Sequence, residues 1–228
     1  MSRLRSPVPA RFEAPLSALS SLTWPSWRVL TAGGAIVVLI AGLGVGAWLW
    51  RAEQNRHAEA AYTDAIVRLQ MSQTGQAAPD SRASAVRDLE ATLARYPSAP
   101  QAAQAAYELA NIRFASRDYA SARGAYEVAA ARATAPTLRI LARAGIAYAW
   151  EAEKNFAKAA DAFRVAATDV RPGDFLFEQL VLDLARVQEA GGQKNEAIET
   201  YRRFLKEAPK SRRADDVRLR LASLGTTP

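Results

Sequence analysis

A nine-residue phrase that returns at a nearly constant interval limits what this chain can fold into. Asp118-Tyr119-Ala120-Ser121-Ala122-Arg123-Gly124-Ala125-Tyr126 comes back 37 residues later as Asn155-Phe156-Ala157-Lys158-Ala159-Ala160-Asp161-Ala162-Phe163. A more diverged copy, Gln193-Lys194-Asn195-Glu196-Ala197-Ile198-Glu199-Thr200-Tyr201, follows after another 38. All three keep a polar first residue, Ala at the fifth place and an aromatic ring at the ninth. Self-similarity at a period of 20 to 50 residues marks stacked supersecondary units, each burying its apolar face against its neighbours.

Each phrase reads as the second helix of a pair. Thirteen residues before its key Ala stand Leu109-Ala110, Ile146-Ala147 and Leu184-Ala185, and seven residues after it stand Ala129, Ala166 and Phe204. Apolar residues three, four and seven apart share one helix face. The Ala residues allow two antiparallel helices to approach closely, and Tyr126, Phe163 and Tyr201 are expected to fill the seams between units. The string resembles the tetratricopeptide repeat: a small residue after Leu, Ala and aromatics at fixed spacing, and closing prolines at Pro97 and Pro209. The resemblance covers about 81–224 and implies a protein-binding stack. Two departures stand out. The period exceeds the usual ~34, which predicts longer loops between units, and Phe204 replaces a small residue.

The N-terminal part obeys other physics. Val29 to Trp50 is 22 residues without a charge, with Trp24 and Trp27 on one side and Trp48 and Trp50 on the other. At ~1.5 Å per residue this makes ~33 Å of helix, enough for a ~30 Å hydrocarbon core with aromatic belts at both edges. A cleaved signal would have a shorter apolar core and small residues at its end, where this chain has Trp48-Leu49-Trp50. There is no Cys for a lipid anchor or a disulfide. The expectation is an uncleaved, single-pass anchor contacting the bilayer through 29–50. Arg3, Arg5, Arg11 and Arg28 before the span, against Arg51 and Arg56 just after it, place the N-terminus in the cytoplasm and the repeats outside. In a two-membrane cell that means the inner membrane and the periplasm.

The chain is thus expected to be all-α, with a single N-terminal transmembrane helix followed by a tetratricopeptide-like α-solenoid. Residues 1–28 read as a disordered cytoplasmic tail. Residues 51–99 read as a juxtamembrane helix with a stripe of Ala61, Ala65 and Leu69, then a loop over 72–80, then a helix capped by Ser81 or Ser84 and ending at Tyr96. This pair makes a degenerate first repeat. Units at about 100–135, 137–170 and 175–208 follow, closed by a helix from Ala214 to Leu224, so the repeats with their cap fill 100–228.

Chemistry-bearing patterns are missing from the sequence. His57 is the lone histidine and has no ligand partners at metal spacing; no nucleophile elbow, phosphate-cradling glycine loop or zinc-protease motif occurs. No catalytic site, metal or cofactor is expected. The net charge of +7 is weighted late, through Arg202, Arg203, Lys206, Lys210, Arg212, Arg213, Arg218 and Arg220. Nucleic-acid binding would need interleaved aromatic platforms, which this stretch lacks. It suits anionic lipid or an acidic partner, or is simply a solvated face. Gly42 and Gly46 have the spacing of a close helix crossing, hence of a homodimer.

In the stack, the first helix of each unit should line a concave groove, with Asn111 and Phe114, then Tyr148 and Glu151, then Arg186 and Glu189 facing it. Such a floor, aromatic at one end and charged at the other, suits an extended or unfolded client chain. The stretch GVGAWLWRAEQNRHAEAAYTDAI and the tail–span–helix–repeat order are similar to the ancillary SecYEG translocon subunit family. That resemblance implies a non-catalytic inner-membrane protein beside the translocon, passing clients to periplasmic chaperones. Arg95-Tyr-Pro-Ser-Ala-Pro100 followed by QAAQAAYELA is also similar to the periplasmic cell-division coordinator family, which implies an envelope scaffold.

Overall fold

The computed structural model describes residues 27–73 and 79–225. The tail expected at 1–28 lies outside them, apart from Trp27 and Arg28, which open the first helix. Nine helices and no strand occur among the described residues: α1 (Trp27–Gln73), α2 (Pro79–Arg95), α3 (Ala102–Ala115), α4 (Tyr119–Arg132), α5 (Pro136–Ala152), α6 (Phe156–Ala167), α7 (Phe177–Ala190), α8 (Lys194–Glu207) and α9 (Ala214–Ser223). The chain divides between Ala52 and Glu53 into two compact units.

The first unit is the apolar stretch of α1. It contains an 18-residue window of mean hydropathy 1.9, none of it buried. Ile36, Val38, Leu43, Trp48 and Trp50 are all exposed. The helix is long and apolar enough to cross a membrane, where such side chains meet lipid instead of water.

In the second unit α3 packs on α4, α5 on α6 and α7 on α8, and the repeated phrase explains why. Its first residue is an N-cap. The Asp118 carboxylate accepts the Ser121 N–H at 3.2 Å, and the Asn155 amide oxygen accepts the Lys158 N–H at 3.3 Å. Short side chains of this kind satisfy one of the orphan N–H groups that open a helix. The third copy has Gln193, one methylene longer, and no side-chain cap forms there. Each pair turns through three residues, 116–118, 153–155 and 191–193. In each turn the middle residue has positive φ: Arg117 at 61°, Lys154 at 60° and Gly192 at 77°. The following N–H bonds back across the turn, Asp118 to the Arg113 carbonyl, Asn155 to Trp150 and Gln193 to Gln188. This is a left-handed helix stop, built once with Arg and once with Lys where glycine is the easy choice.

The alanines lie where helices meet. Ala110, Ala122, Ala129, Ala147, Ala159, Ala166 and Ala185 are all 0% exposed. Around them stand three groups of buried side chains. The largest runs from α5 to α9 and holds Phe163, Phe177, Leu184, Tyr201, Phe204 and Leu221. A second joins Ala106, Ala110, Ala122, Tyr126, Ala129 and Ala142 across α3, α4 and α5. The third packs Ala58, Tyr62, Ala65 and Leu69 of α1 against Leu89 of α2 and Leu109 of α3.

Several boundaries differ from the sequence reading. The buried stripe of α1 is Ala58, Tyr62, Ala65 and Leu69, not Ala61, which is only half-buried. Alternating steps of four and three stay on one helix face, whereas repeated steps of four drift around it. Helix α2 starts at Pro79, two residues before Ser81, because proline is preset for the first turn and Asp80 adds a favourable charge there. Ser72 and Gln73 remain in α1, so the expected loop over 72–80 is shorter; residues 74–78 lie outside the described residues. The long period does not lengthen every loop. The α4–α5 connection is only 133–135, and the extra residues extend α5 to 17, against 14 in α3 and α7. Pro136 at the start of α5 permits this. Only the α6–α7 loop, 168–176, is long.

Candidate protein-binding site

The six residues expected to line the groove all stand on the first helices of their units: Asn111 and Phe114 on α3, Tyr148 and Glu151 on α5, Arg186 and Glu189 on α7. Arg186 is exposed and the other five are half-buried. They do not behave as one surface.

At the α3 end the residues engage partners in their own unit. Asn111 Oδ1 accepts the Tyr126 hydroxyl at 2.7 Å. Phe114 meets Tyr119 edge-on with ring centroids 5.3 Å apart. A pocket of about 470 Å3 opens beside Asn111, lined by Leu69, Arg82, Glu108, Ile112, Ala115 and Ser116.

From α5 onward the residues reach the next unit. The Tyr148 ring stands edge-on to Phe163 at 5.0 Å, and its hydroxyl donates to Asp183 Oδ2 at 2.5 Å while accepting from Gln179 Nε2 at 2.9 Å. Arg186 holds Glu151 with both terminal nitrogens, one bond measuring 3.0 Å, and also reaches Asp183 Oδ1 at 3.1 Å. Glu189 is held by Arg220 of α9, with Nε at 2.8 Å, and accepts the Tyr201 hydroxyl at 3.3 Å. The charged end of the expected floor is therefore a ladder of internal pairs joining α5 to α7 and α7 to α9. Phe114 and Tyr148 are not brought into one contact; each packs into a different buried group.

The family model of the tetratricopeptide repeat-like domain matches residues 23–226, nearly the whole chain. The chain belongs to that family. The crystal structure of the apo form of RapI is similar in fold, with a TM-score of 0.56 at 14% identity over 76% of this chain and 49% of that one. The chain thus spans about half the length of that structure, and the likeness extends to fold alone. Comparison with curated proteins finds no match. Membership in the family makes this a protein-interaction module, and its repeat fold is typically a non-catalytic scaffold.

The repeat register also explains three residues whose partners the sequence does not give. Gly145, Asp183 and Arg220 each stand immediately before the bulky-Ala pair of their helix (Ile146-Ala147, Leu184-Ala185, Leu221-Ala222). From that one place Gly145 lies against Tyr126, Asp183 takes the Tyr148 hydroxyl, and Arg220 takes Glu189. The signal was available, since the repeat sets the place; the residue types there differ too much to look alike.

Burial pushes the Tyr126 phenol up to about 12. Tyr148 is pushed higher still, by burial first and then by the Asp183 carboxylate that accepts its proton. A phenol raised in the folded state favours folding fully below its ordinary value and loses that contribution as the pH climbs through the folded value. Stability should therefore hold to about pH 10 and fall steeply toward pH 12. Melting temperatures across that window check this, and Tyr126→Phe should flatten the fall. An unchanged melting temperature at the upper end would show that these phenols are not buried.

Proposed function

We propose that this protein is a membrane-anchored, non-catalytic binding module whose first-helix face, Asn111, Phe114, Tyr148, Glu151, Arg186 and Glu189, receives an extended segment of another protein. The observation that carries the reading is the contrast along that face. The charges of Glu151, Arg186 and Glu189 are already bonded within the stack. Opening them for a ligand would leave charges unpaired, which is costly. Phe114 and Tyr148 are half-buried and offer aromatic area at small entropic cost, Phe114 on the helix that lines the pocket at Asn111. The aromatic end is then the anchor and the paired charges form a rim.

Anchoring rests on the apolar stretch of α1, and the arginine bias supports repeats outside the cytoplasm. With the likeness to the ancillary translocon subunits, this supports handover of emerging chains from the Sec translocon to periplasmic chaperones. An envelope scaffold in cell division or cell-wall assembly is the second reading, favoured by the similarity at Arg95–Pro100.

The test is crosslinking in living cells followed by carbonate extraction. The full chain should remain in the membrane pellet. Joint Phe114→Ser and Tyr148→Ser should reduce partner crosslinks by tenfold or more, given about 1–2 kcal/mol or more per anchor residue. Arg186→Gln should change them little. Unchanged crosslinks from a double variant with full helix content would remove the first-helix face from consideration.

A further inference from the structure

Two loops at one edge of the stack are tied together, and what they present there is unlike the rest of the surface. The α6–α7 loop contains a turn closed by the Asp174 N–H on the Arg171 carbonyl at 3.0 Å. Pro172 and Gly173, the latter with φ 96°, take the two central places, as a type II turn requires. The Asp174 carboxylate accepts the Arg171 N–H at 2.7 Å, and the Phe177 N–H closes a second turn on the Asp174 carbonyl at 3.1 Å. The loop is therefore braced. On it stands Phe175, 95% exposed, while the next two residues, Leu176 and Phe177, are buried. The α8–α9 loop, 208–213, meets this edge, because Ser211 Oγ donates to Glu178 Oε2 at 2.8 Å, three residues from Phe175.

Cations outnumber the acids without a bonded cation on this edge. Arg171, Lys206, Lys210, Arg212 and Arg213 are exposed, and none has an acid bonded to it among the described residues. Nearby acids are engaged: Asp169 by Arg143 at 2.6 Å and Arg139 at 3.4 Å, Asp174 by its own turn, Glu178 by Ser211, Glu207 by Arg203 at 3.1 Å. Of these, Asp174 and Glu178 bond no cation among the described residues, and neither does Asp216 in the first turn of α9.

We propose that this loop edge docks on an anionic bilayer surface, with Phe175 entering the boundary of headgroups and acyl chains and the five cations meeting lipid phosphates. A lone protruding ring with scattered cations suits a headgroup layer, which adapts sideways and presents negative charge densely. A protein partner would have to supply a pocket for the ring and an acid for each cation at fixed positions. The anchoring reading adds that the bilayer is always at high effective concentration, and the proposal rests on it to that extent.

The chain has no Cys, so Thr168→Cys in the same loop takes a single dye. The full chain is placed in nanodiscs of phosphatidylcholine, with or without phosphatidylglycerol, containing a headgroup-nitroxide lipid. Quenching should be strong only in the anionic discs and vanish in about 0.5 M salt, where screening is nearly complete. Joint K206Q, K210Q, R212Q and R213Q should lower the docked-to-free ratio on the order of a hundredfold or more, and F175S should lower it with unchanged melting temperature. Equal quenching in neutral discs, or quenching indifferent to salt, overturns the proposal. If the chain fails to enter the discs, the anchoring reading falls. Flotation with separate phosphatidylglycerol vesicles then decides the docking: salt-sensitive flotation supports it, none overturns it. No quenching, together with crosslinks to an acidic protein that the four-Gln variant loses, would overturn the lipid surface and assign the edge to that partner.

Discussion

Phe163→Ala should destabilise the repeat region by about 3–5 kcal/mol, the range for truncating a fully buried aromatic side chain. Phe163 is 0% exposed and sits in the largest buried group. Its ring is also nearly perpendicular to that of Tyr148 at 5.0 Å, so the substitution leaves a cavity and frees a neighbour that holds Asp183. The alanines of that group, such as Ala147, Ala159 and Ala166, have no reach to fill the space. Denaturant unfolding of the variant beside the parent measures the cost. A loss under about 1 kcal/mol would mean the seam between α5 and α7 is not packed as described.

Gly145→Ala should also destabilise, although glycine in a helix interior is normally the weaker choice by about 1 kcal/mol. A Cβ at this place would stand 2.5 Å from Cζ and 2.6 Å from Cε1 of Tyr126. The ring must then swing away. It cannot do so freely, because its hydroxyl is bonded to Asn111 at 2.7 Å and the tilted Tyr107 ring stands 5.7 Å away, centroid to centroid. Overpacking of this kind costs about 1–3 kcal/mol, which exceeds the helix gain. The joint variant with Tyr126→Leu, whose shorter side chain makes room, should recover part of the loss. A stabilised Gly145→Ala single variant would show that α5 and Tyr126 are further apart.

Which parts of this were legible in the sequence follows from what carries each signal. Helix pairs, their caps at Asp118 and Asn155 and the buried alanines repeat with the period, so comparison of the copies exposes them. The apolar stretch of α1 announces itself by length. The same register puts the six first-helix residues on α3, α5 and α7. Their bonding was not readable, because each partner sits in the following unit at a distance set by loop and helix lengths: Arg186 is 35 residues from Glu151, and Arg220 is 31 from Glu189. The extra length of α5 was hidden for a related reason, since a period counts residues without saying whether they lengthen a loop or a helix. Alternation of buried Ala58, Tyr62, Ala65 and Leu69 lies in a segment without a second copy to compare.

The three separate buried groups carry a consequence for how the molecule comes apart. Helix α3 gives Leu109 to one group and Ala110 to another, and α5 likewise divides Ala142 from Ile140 and Ala147. Each of these helices is a party wall: losing the rooms on one side need not bring down the other. Cooperativity should then break at α3 and α5, as in linear arrays whose stability is summed over neighbours. A single melting temperature would describe the whole poorly, and a partner gripping α3 could part from the stack's far end without either letting go.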